Sequence, residues 1–182
     1  AQLATLGLKR GLAAQLSKTE RPHVHVVWDG LLVSFLASAI AAAILIIFPF
    51  IMFPNSEING LDRFLPLVIF TVVGADIALA ALAYRYDIAA TVRARSIVEP
   101  WTISIAAFLF SYYSLRDGLI LAYVVSMIAA LAASLWPLFK SYGLPRGWRP
   151  EPGKIAKIAR RNMPLAAADA AEWGSRRLDL AI

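Results

Sequence analysis

Long uncharged apolar runs constrain this chain more than any other feature of its sequence. Residues 31–53 contain no charged side chain, and Ser34 and Ser38 are the only polar residues among them. A helix of about 20 residues crosses the hydrocarbon layer of a bilayer, because each residue advances it by about 1.5 Å. The whole chain is 59% hydrophobic and 16% charged, whereas soluble domains carry about 25% charged residues. We therefore predict an integral membrane protein, neither soluble nor disordered.

Three further runs have the same character and predict an all-α fold, a multi-helix transmembrane bundle. Residues 64–84 are apolar except for Thr71 and Asp76, and residues 119–139 lack charges. A shorter uncharged run ends at residue 115, and we expect its helix to begin near residue 97. With residues 31–53, these runs give four predicted transmembrane helices within residues 1–140, preceded by the end of another helix.

The chain changes composition after the fourth run. Residues 141–161 are basic and rich in proline and glycine, which predicts a linker whose last part, residues 154–161, is a basic amphipathic helix on the membrane surface. Apolar character returns at residues 162–182, where we predict the start of a further transmembrane helix. Both ends of the chain look cut, so we expect a fragment of a longer protein.

The positive charge follows the loops. The chain carries 18 Lys and Arg against 12 Asp and Glu, a net charge of +6. Every second connection is basic: the N-terminal segment, residues 85–96 and the linker, but not residues 54–63 or 116–118. The positive-inside rule produces this alternation and predicts that the N-terminal segment and the linker are cytoplasmic. It also argues against a nucleic-acid partner, which requires one continuous basic patch.

The inner loops supply a set of cations that we expect to contact lipid headgroups rather than the protein core. These predicted membrane-surface residues are Arg93, Arg95, Lys154, Lys157, Arg160 and Arg161.

Two acidic residues lie in or next to apolar runs. Asp76 is 13 residues from Arg63, about 20 Å along a helix and near the middle of a bilayer. A charge there is costly, so Asp76 should face the bundle interior or a cavity. Two interpretations stay open: a proton, sodium or substrate-hydroxyl site, or a protonated carboxyl bonded to a neighbouring helix. For Glu99, beside Pro100, we favour a capping role at a helix start.

The last apolar segment carries charges deep in its predicted helix. Glu172 is four residues before Arg176 and pairs with it on one helical face. Arg177 points about 100° away, which makes Arg177 or Asp179 the better candidate to face a cavity. A guanidinium suits phosphate, because its planar fork matches two oxygens. The alternative is a set of internal salt bridges that holds the bundle together.

The sequence gives little support for metal binding, a phosphate-binding loop or nucleophilic catalysis. The chain has no cysteine, and the lone His23-x-His25 pattern lies near no further ligand, so we expect a solvated loop there and no metal site. We recognise no glycine-rich phosphate loop and no nucleophile elbow. We therefore expect no cofactor and no enzyme activity.

Three segments resemble a known family. LGLKRGL at residues 6–12 is similar to the segment after the second helix of bacterial polysaccharide flippases. RSIVEPW at residues 95–101 is similar to the entry into their fifth helix. RRNMPL at residues 160–165, followed by RRLD at residues 176–179, resembles the opening of their seventh helix. This family is the oligosaccharide flippase branch of the multidrug/oligosaccharidyl-lipid/polysaccharide exporter superfamily.

The resemblance implies part of one lobe of a two-lobe transporter in the bacterial inner membrane. Its substrate would be an undecaprenyl-diphosphate-linked glycan for surface polysaccharide or lipopolysaccharide, and a polysaccharide polymerase or ligase would be a partner. Two lobes would rock around a central cationic cavity. Carried onto this sequence, the substrate-binding candidates are Arg177, Arg176, Asp76 and Asp179.

Three other functions stay open, and one of them is a structural membrane subunit with no transport role. A cation-coupled drug or metabolite exporter has the same fold and would use Asp76 as the coupling residue. An integral-membrane glycosyltransferase or polymerase requires acidic or catalytic residues in a sizeable outer loop, and both predicted outer loops are short.

Overall fold

The protein is all-helical across the residues that its structure describes. The computed structural model describes residues 5, 7–49, 60–112, 114–145 and 147–178, with the side chains of all of them except residues 9, 10, 115, 116, 169, 170 and 172–178. The helices are α1 (Leu8–Ser17), α2 (His23–Ile47), a 3₁₀ segment (Gly60–Leu67) that continues into α3 (Val68–Tyr84), α4 (Ile88–Val92), a π-helical segment (Arg93–Val98), α5 (Glu99–Ser111), α6 (Leu115–Tyr142) and α7 (Pro152–Leu178).

Three of the helices in the described residues are long and apolar enough to cross a membrane. They are His23–Ile47, Gly60–Tyr84 and Asp117–Tyr142, and they contain most of the predicted runs 31–53, 64–84 and 119–139. The first begins eight residues earlier than predicted, because Pro22 has a fixed extended conformation and leaves the helix to start at His23. Residues 50–53 of the predicted run lie outside the described residues.

The prediction of a long inner loop at residues 85–96 is wrong. The connection is the short turn between Tyr84 and Ile88, where Tyr86 has a φ of 62° and the Asp87 carboxylate accepts a hydrogen bond from the Ala90 amide. Helical structure then continues without a break through α4, the π-helical segment and α5. Asp87 caps the new helix, and a capped helix extends through polar residues that a hydropathy count assigns to a loop.

The predicted boundary between a basic surface helix at residues 154–161 and a separate span from residue 162 is also wrong. Helix α7 runs unbroken from Pro152 to Leu178 and contains Pro164 in its interior. It packs on α1, where the backbone of Gly7 and Gly11 comes close enough that an added Cβ would lie 2.5 Å from the Leu165 Cβ and the Asn162 Oδ1 respectively. Charged residues recur along α7, and it is not among the three membrane-length helices.

Helix α3 lies at the centre of the bundle, between α1, α2 and α6. Its buried side chains include Val73, Ile77 and Leu82, which join a core with Leu8 and Leu12 of α1. Large apolar side chains remain exposed on the outer helices: Leu36, Ile40 and Ile44 on α2, Trp101, Ile105 and Phe108 on α5, and Ile128 and Trp136 on α6. Such a continuous apolar exterior is typical of a surface that another apolar phase covers.

Helices α5 and α6 form a tight hairpin that depends on one glycine. A Cβ at Gly118 would lie 2.5 Å from the carbonyl oxygen of Phe110, and a backbone atom of a helix cannot move aside alone. We expect Gly118→Ala to lower the free energy of unfolding by about 2 kcal/mol through overpacking. Gly153→Ala is the matched control, since no atom lies within 4 Å of its added Cβ. Equal thermal unfolding temperatures for the two variants would contradict this role.

Candidate functional site

A cluster of three charged side chains joins α3 to the helix that follows it. The guanidinium of Arg95 donates a hydrogen bond from Nη2 to Asp76 Oδ1 at 2.5 Å and another from Nη1 to Glu99 Oε2 at 2.8 Å. The side chains are 27%, 15% and 26% exposed for Arg95, Asp76 and Glu99. We call these three residues the charged cluster.

The turn between α3 and α4 places the cluster. Asp76 is nine residues before Arg85, and Arg95 is ten residues after it, so each lies about 13–15 Å along its helix from the turn. The two helices run antiparallel, which brings these positions to the same level. The π-helical segment around Arg95 widens the backbone locally, a feature that is frequent at functional sites.

The structure joins residues that the sequence assigned to different environments. Asp76 was predicted to face an interior site, and Arg95 was predicted to lie among lipid headgroups, yet the two are in direct contact. The capping role expected for Glu99 is wrong, because the helix begins at Ile88 and Glu99 pairs with Arg95 one turn before it. The Arg-x-x-x-Glu spacing could have shown this pair, since residues i and i+4 share a helical face.

A second charged region lies where α1, α2 and α7 meet. A cleft of about 320 Å³ opens there between the three helices. Its described lining contains five cations from separate parts of the chain, together with apolar Val26 and Ile158 and polar Gln15 and Thr19; the cations are Lys18, Arg21, Lys154, Lys157 and Arg161. We call this region the basic cleft.

Asp29 is the acidic member of the described cleft lining, and it was not among the residues predicted from the sequence. Its side chain is 3% exposed; Oδ2 accepts a hydrogen bond from Arg21 Nη1 at 3.2 Å and Oδ1 accepts one from Trp148 Nε1 at 2.8 Å. Trp148 also contacts the ring of Trp28, with 6.0 Å between ring centroids. The predicted run begins at residue 31, whereas α2 begins at His23 and contains this paired and buried carboxylate.

Glu151 lies just before α7 and also has a cationic partner. Its carboxylate accepts a hydrogen bond from Lys154 at 2.5 Å, and this hydrogen bond lowers the pKa of Glu151 below its ordinary value. Asp29 and Glu151 therefore have cationic partners already, and Lys18, Lys157 and Arg161 add further positive charge to the cleft.

The predicted surface cations divide between the two regions. Lys154, Lys157 and Arg161 line the basic cleft, Arg95 belongs to the charged cluster, and Arg93 and Arg160 are exposed. Arg176 and Arg177 lie in the last turn of α7, where side chains are not described, and Asp179 lies outside the described residues. The substrate-binding roles of these three remain predictions.

The expected solvated loop at His23-x-His25 is instead the first turn of α2. The ring of His23 packs edge-on against Tyr84, with 5.7 Å between centroids. No group of three or more His, Cys, Asp or Glu suited to a metal ion occurs within the described part of the chain.

Comparison with protein-family models, with curated proteins and with solved structures finds no match to this chain.

Proposed function

We propose that this chain is the membrane-embedded part of a transporter that flips a lipid-linked oligosaccharide or polysaccharide precursor across the bacterial inner membrane. The resemblance of residues 6–12, 95–101 and 160–179 to polysaccharide flippases supports the proposal. The three membrane-length helices and the exposed apolar side chains of α2, α5 and α6 support embedding in a bilayer. The linker and the N-terminal segment would be cytoplasmic under the positive-inside rule.

The single observation that carries the proposal is the charged cluster. Charged side chains within an apolar bundle are expensive and are kept mainly where they act on a substrate or ion. Arg95 is held by two carboxylates but remains 27% exposed, so its planar fork is oriented and still reachable. A phosphate oxygen is negatively charged, as the carboxylates of Asp76 and Glu99 are. It can therefore compete with them as an acceptor of hydrogen bonds from Arg95.

If Arg95 exchanged its carboxylate acceptors for a phosphate, the helices that it joins would have two arrangements. In one, Arg95 bridges α3 and α5 through Asp76 and Glu99; in the other, Arg95 turns to the phosphate of the substrate and the bridge weakens. Alternating access needs such a two-state contact between packed elements. The chain would act by binding and moving its substrate without covalent chemistry.

A pair of conservative variants tests the role of Arg95. Arg95→Lys keeps the positive charge but loses the bidentate fork, and we expect about tenfold slower flipping at equal protein amounts, a change of about 1.4 kcal/mol. Arg93→Lys is the matched control, an exposed arginine in the same π-helical segment. The measurement is the accumulation of lipid-linked repeat units on the inner leaflet of cells that express each variant in place of the native gene.

Two results would contradict the proposal. Equal flipping by the Arg95 and Arg93 variants would remove Arg95 from the transport cycle. Normal surface polysaccharide, with no intermediate on the inner leaflet after deletion of the gene, would reject the flippase function itself.

The Asp76–Arg95 contact also favours a second candidate, a cation-coupled exporter of the same superfamily. A proton or sodium ion on Asp76 would compete with Arg95 and loosen the bridge between α3 and the π-helical segment. In that case Asp76→Asn abolishes the dependence of export on the ion gradient. Unchanged gradient dependence in Asp76→Asn would reject the coupling role.

A further inference from the structure

The basic cleft lies at the N-terminal end of α2, one of the three membrane-length helices. Helix α2 has 25 residues and is therefore about 38 Å long, whereas the hydrocarbon layer is about 30 Å thick. Val26 and Asp29, which line the cleft, are in the first two turns of α2. The ends of α3 and α6 reach the same level, as the contacts of His23 with Tyr84 and of Trp28 with Phe139 show.

The residues that line the cleft carry more positive than negative charge. Its described lining carries five cations and the single carboxylate of Asp29, and Asp29 is already bonded to Arg21 and Trp148. The cations come from residues 18–21 and 154–161, segments that the fold brings together from distant parts of the sequence. Like charges gathered in this way repel one another unless an anion lies between them.

A neutral donor in the same wall gives an independent indication of a ligand. The Gln15 Nε2 atom is buried and has no hydrogen-bond partner, and Gln15 lines the cleft beside Lys18. A buried N–H group without an acceptor is unfavourable, and rotation of the Gln15 amide toward the cleft would let an anionic oxygen accept its hydrogen bond. The apolar side chains of Val26 and Ile158 complete a floor that suits the carbon part of an amphipathic molecule.

We propose that the basic cleft binds the headgroup phosphate of an anionic membrane lipid, one that carries two or more negative charges. The volume of about 320 Å³ matches small-ligand pockets, which begin at about 300 Å³. Basic pockets between membrane helices bind multiply charged lipid headgroups in this way. The site is separate from the charged cluster and does not depend on whether the chain transports a substrate.

The test measures lipid binding to the purified chain in nanodiscs by native mass spectrometry. The probes are cardiolipin and phosphatidic acid, with phosphatidylcholine as the neutral reference and inorganic pyrophosphate as the soluble phosphate. We expect cardiolipin and phosphatidic acid to be retained in preference to phosphatidylcholine, and to raise the thermal unfolding temperature. Pyrophosphate should bind at least tenfold more weakly, because it lacks the membrane-anchored chain.

Two pairs of variants locate the binding. Lys157→Gln with Arg161→Gln removes two cleft cations, and we expect at least tenfold weaker cardiolipin binding. Lys140→Gln with Arg160→Gln removes two exposed cations outside the described lining of the cleft, and binding should stay within twofold. Gln15→Leu changes no charge, and we expect about fivefold weaker binding from one lost hydrogen bond.

Three outcomes would overturn the proposal. An equal loss in the two charge pairs would show diffuse attraction of the surface to anionic lipid. Binding of pyrophosphate as tight as that of cardiolipin would assign the site to a soluble phosphate. Absence of any preference for cardiolipin over phosphatidylcholine in the native chain would remove the site. Lys157 and Arg161 are both exposed, so their substitution leaves the fold intact for the comparison.

Discussion

Replacing Arg95 with alanine is expected to lower the free energy of unfolding by about 3 kcal/mol. The change leaves the carboxylates of Asp76 and Glu99 facing each other without the cation that both contact. Loss of one partner from a fully buried ion pair costs about 3–5 kcal/mol, and partial exposure of these groups reduces the effect toward the lower value. Thermal or denaturant unfolding in detergent measures the loss.

The matched control for this experiment is Arg93→Ala, which removes an exposed arginine two residues away and should cost less than 0.5 kcal/mol. The double variant Asp76→Asn with Arg95→Gln removes both charges together. It should be more stable than Arg95→Ala, because one negative charge fewer remains beside Glu99 after the cation is lost. A double variant less stable than Arg95→Ala would show that the ion pair does not account for the loss.

Asp29→Ala is the second large effect, with an expected loss of about 2–3 kcal/mol. The substitution removes the acceptor of the Trp148 indole N–H and the partner of Arg21 at a side chain that is 3% exposed. Hydrogen bonds to charged groups contribute about 1.5–3 kcal/mol, and the donors left behind add their own cost. Asp29→Asn keeps an acceptor oxygen for Trp148 and should lose about half as much. Unfolding temperatures of the two variants give the comparison.

Glu20→Ala is the control, since Glu20 is an exposed acid in the same region. Trp148→Phe gives a further check, because it keeps an aromatic ring against Trp28 but loses the hydrogen bond. We expect it to cost about 1–2 kcal/mol. If Asp29→Ala proves no more destabilising than Glu20→Ala, the buried carboxylate does not hold the linker to α2.

Hydropathy predicted the three membrane-length helices of the described residues but not where they begin, and the fourth predicted span corresponds to α5, which has only 13 residues. A long apolar run such as residues 64–84 predicts a helix. Within one segment in an apolar phase, only a helix pairs all backbone N–H and C=O groups in hydrogen bonds. The predicted helices begin at residues 31 and 97, after the charged residues 29, 93 and 95, whereas the helices of the structure continue through these residues. A charged residue ends an apolar run when hydropathy is counted along the sequence. The helix itself can continue through that residue when the charge has a partner.

The sites were less predictable than the helices, because their members meet only in three dimensions. Asp76 drew attention through its depth alone, and its partner Arg95 was placed at the membrane surface. The pairing requires the short turn at residues 85–87, and Asp87 as the helix cap was its only local signal. The basic cleft needs α7 to lie against α1, a contact that the sequence marks only through the small residues Gly7 and Gly11.

The Trp148–Asp29 hydrogen bond joins residues 119 positions apart in sequence, and this separation sets an order for assembly. A ribosome adds about 5–20 residues per second, so Trp148 follows Asp29 by about 6–24 s. During that interval Asp29 has Arg21 as its near partner in the chain, while the cations of α7 have not yet been made. The end of the bundle around Asp29 is therefore completed last, and newly made chains should stay sensitive to proteases there until synthesis has passed α7.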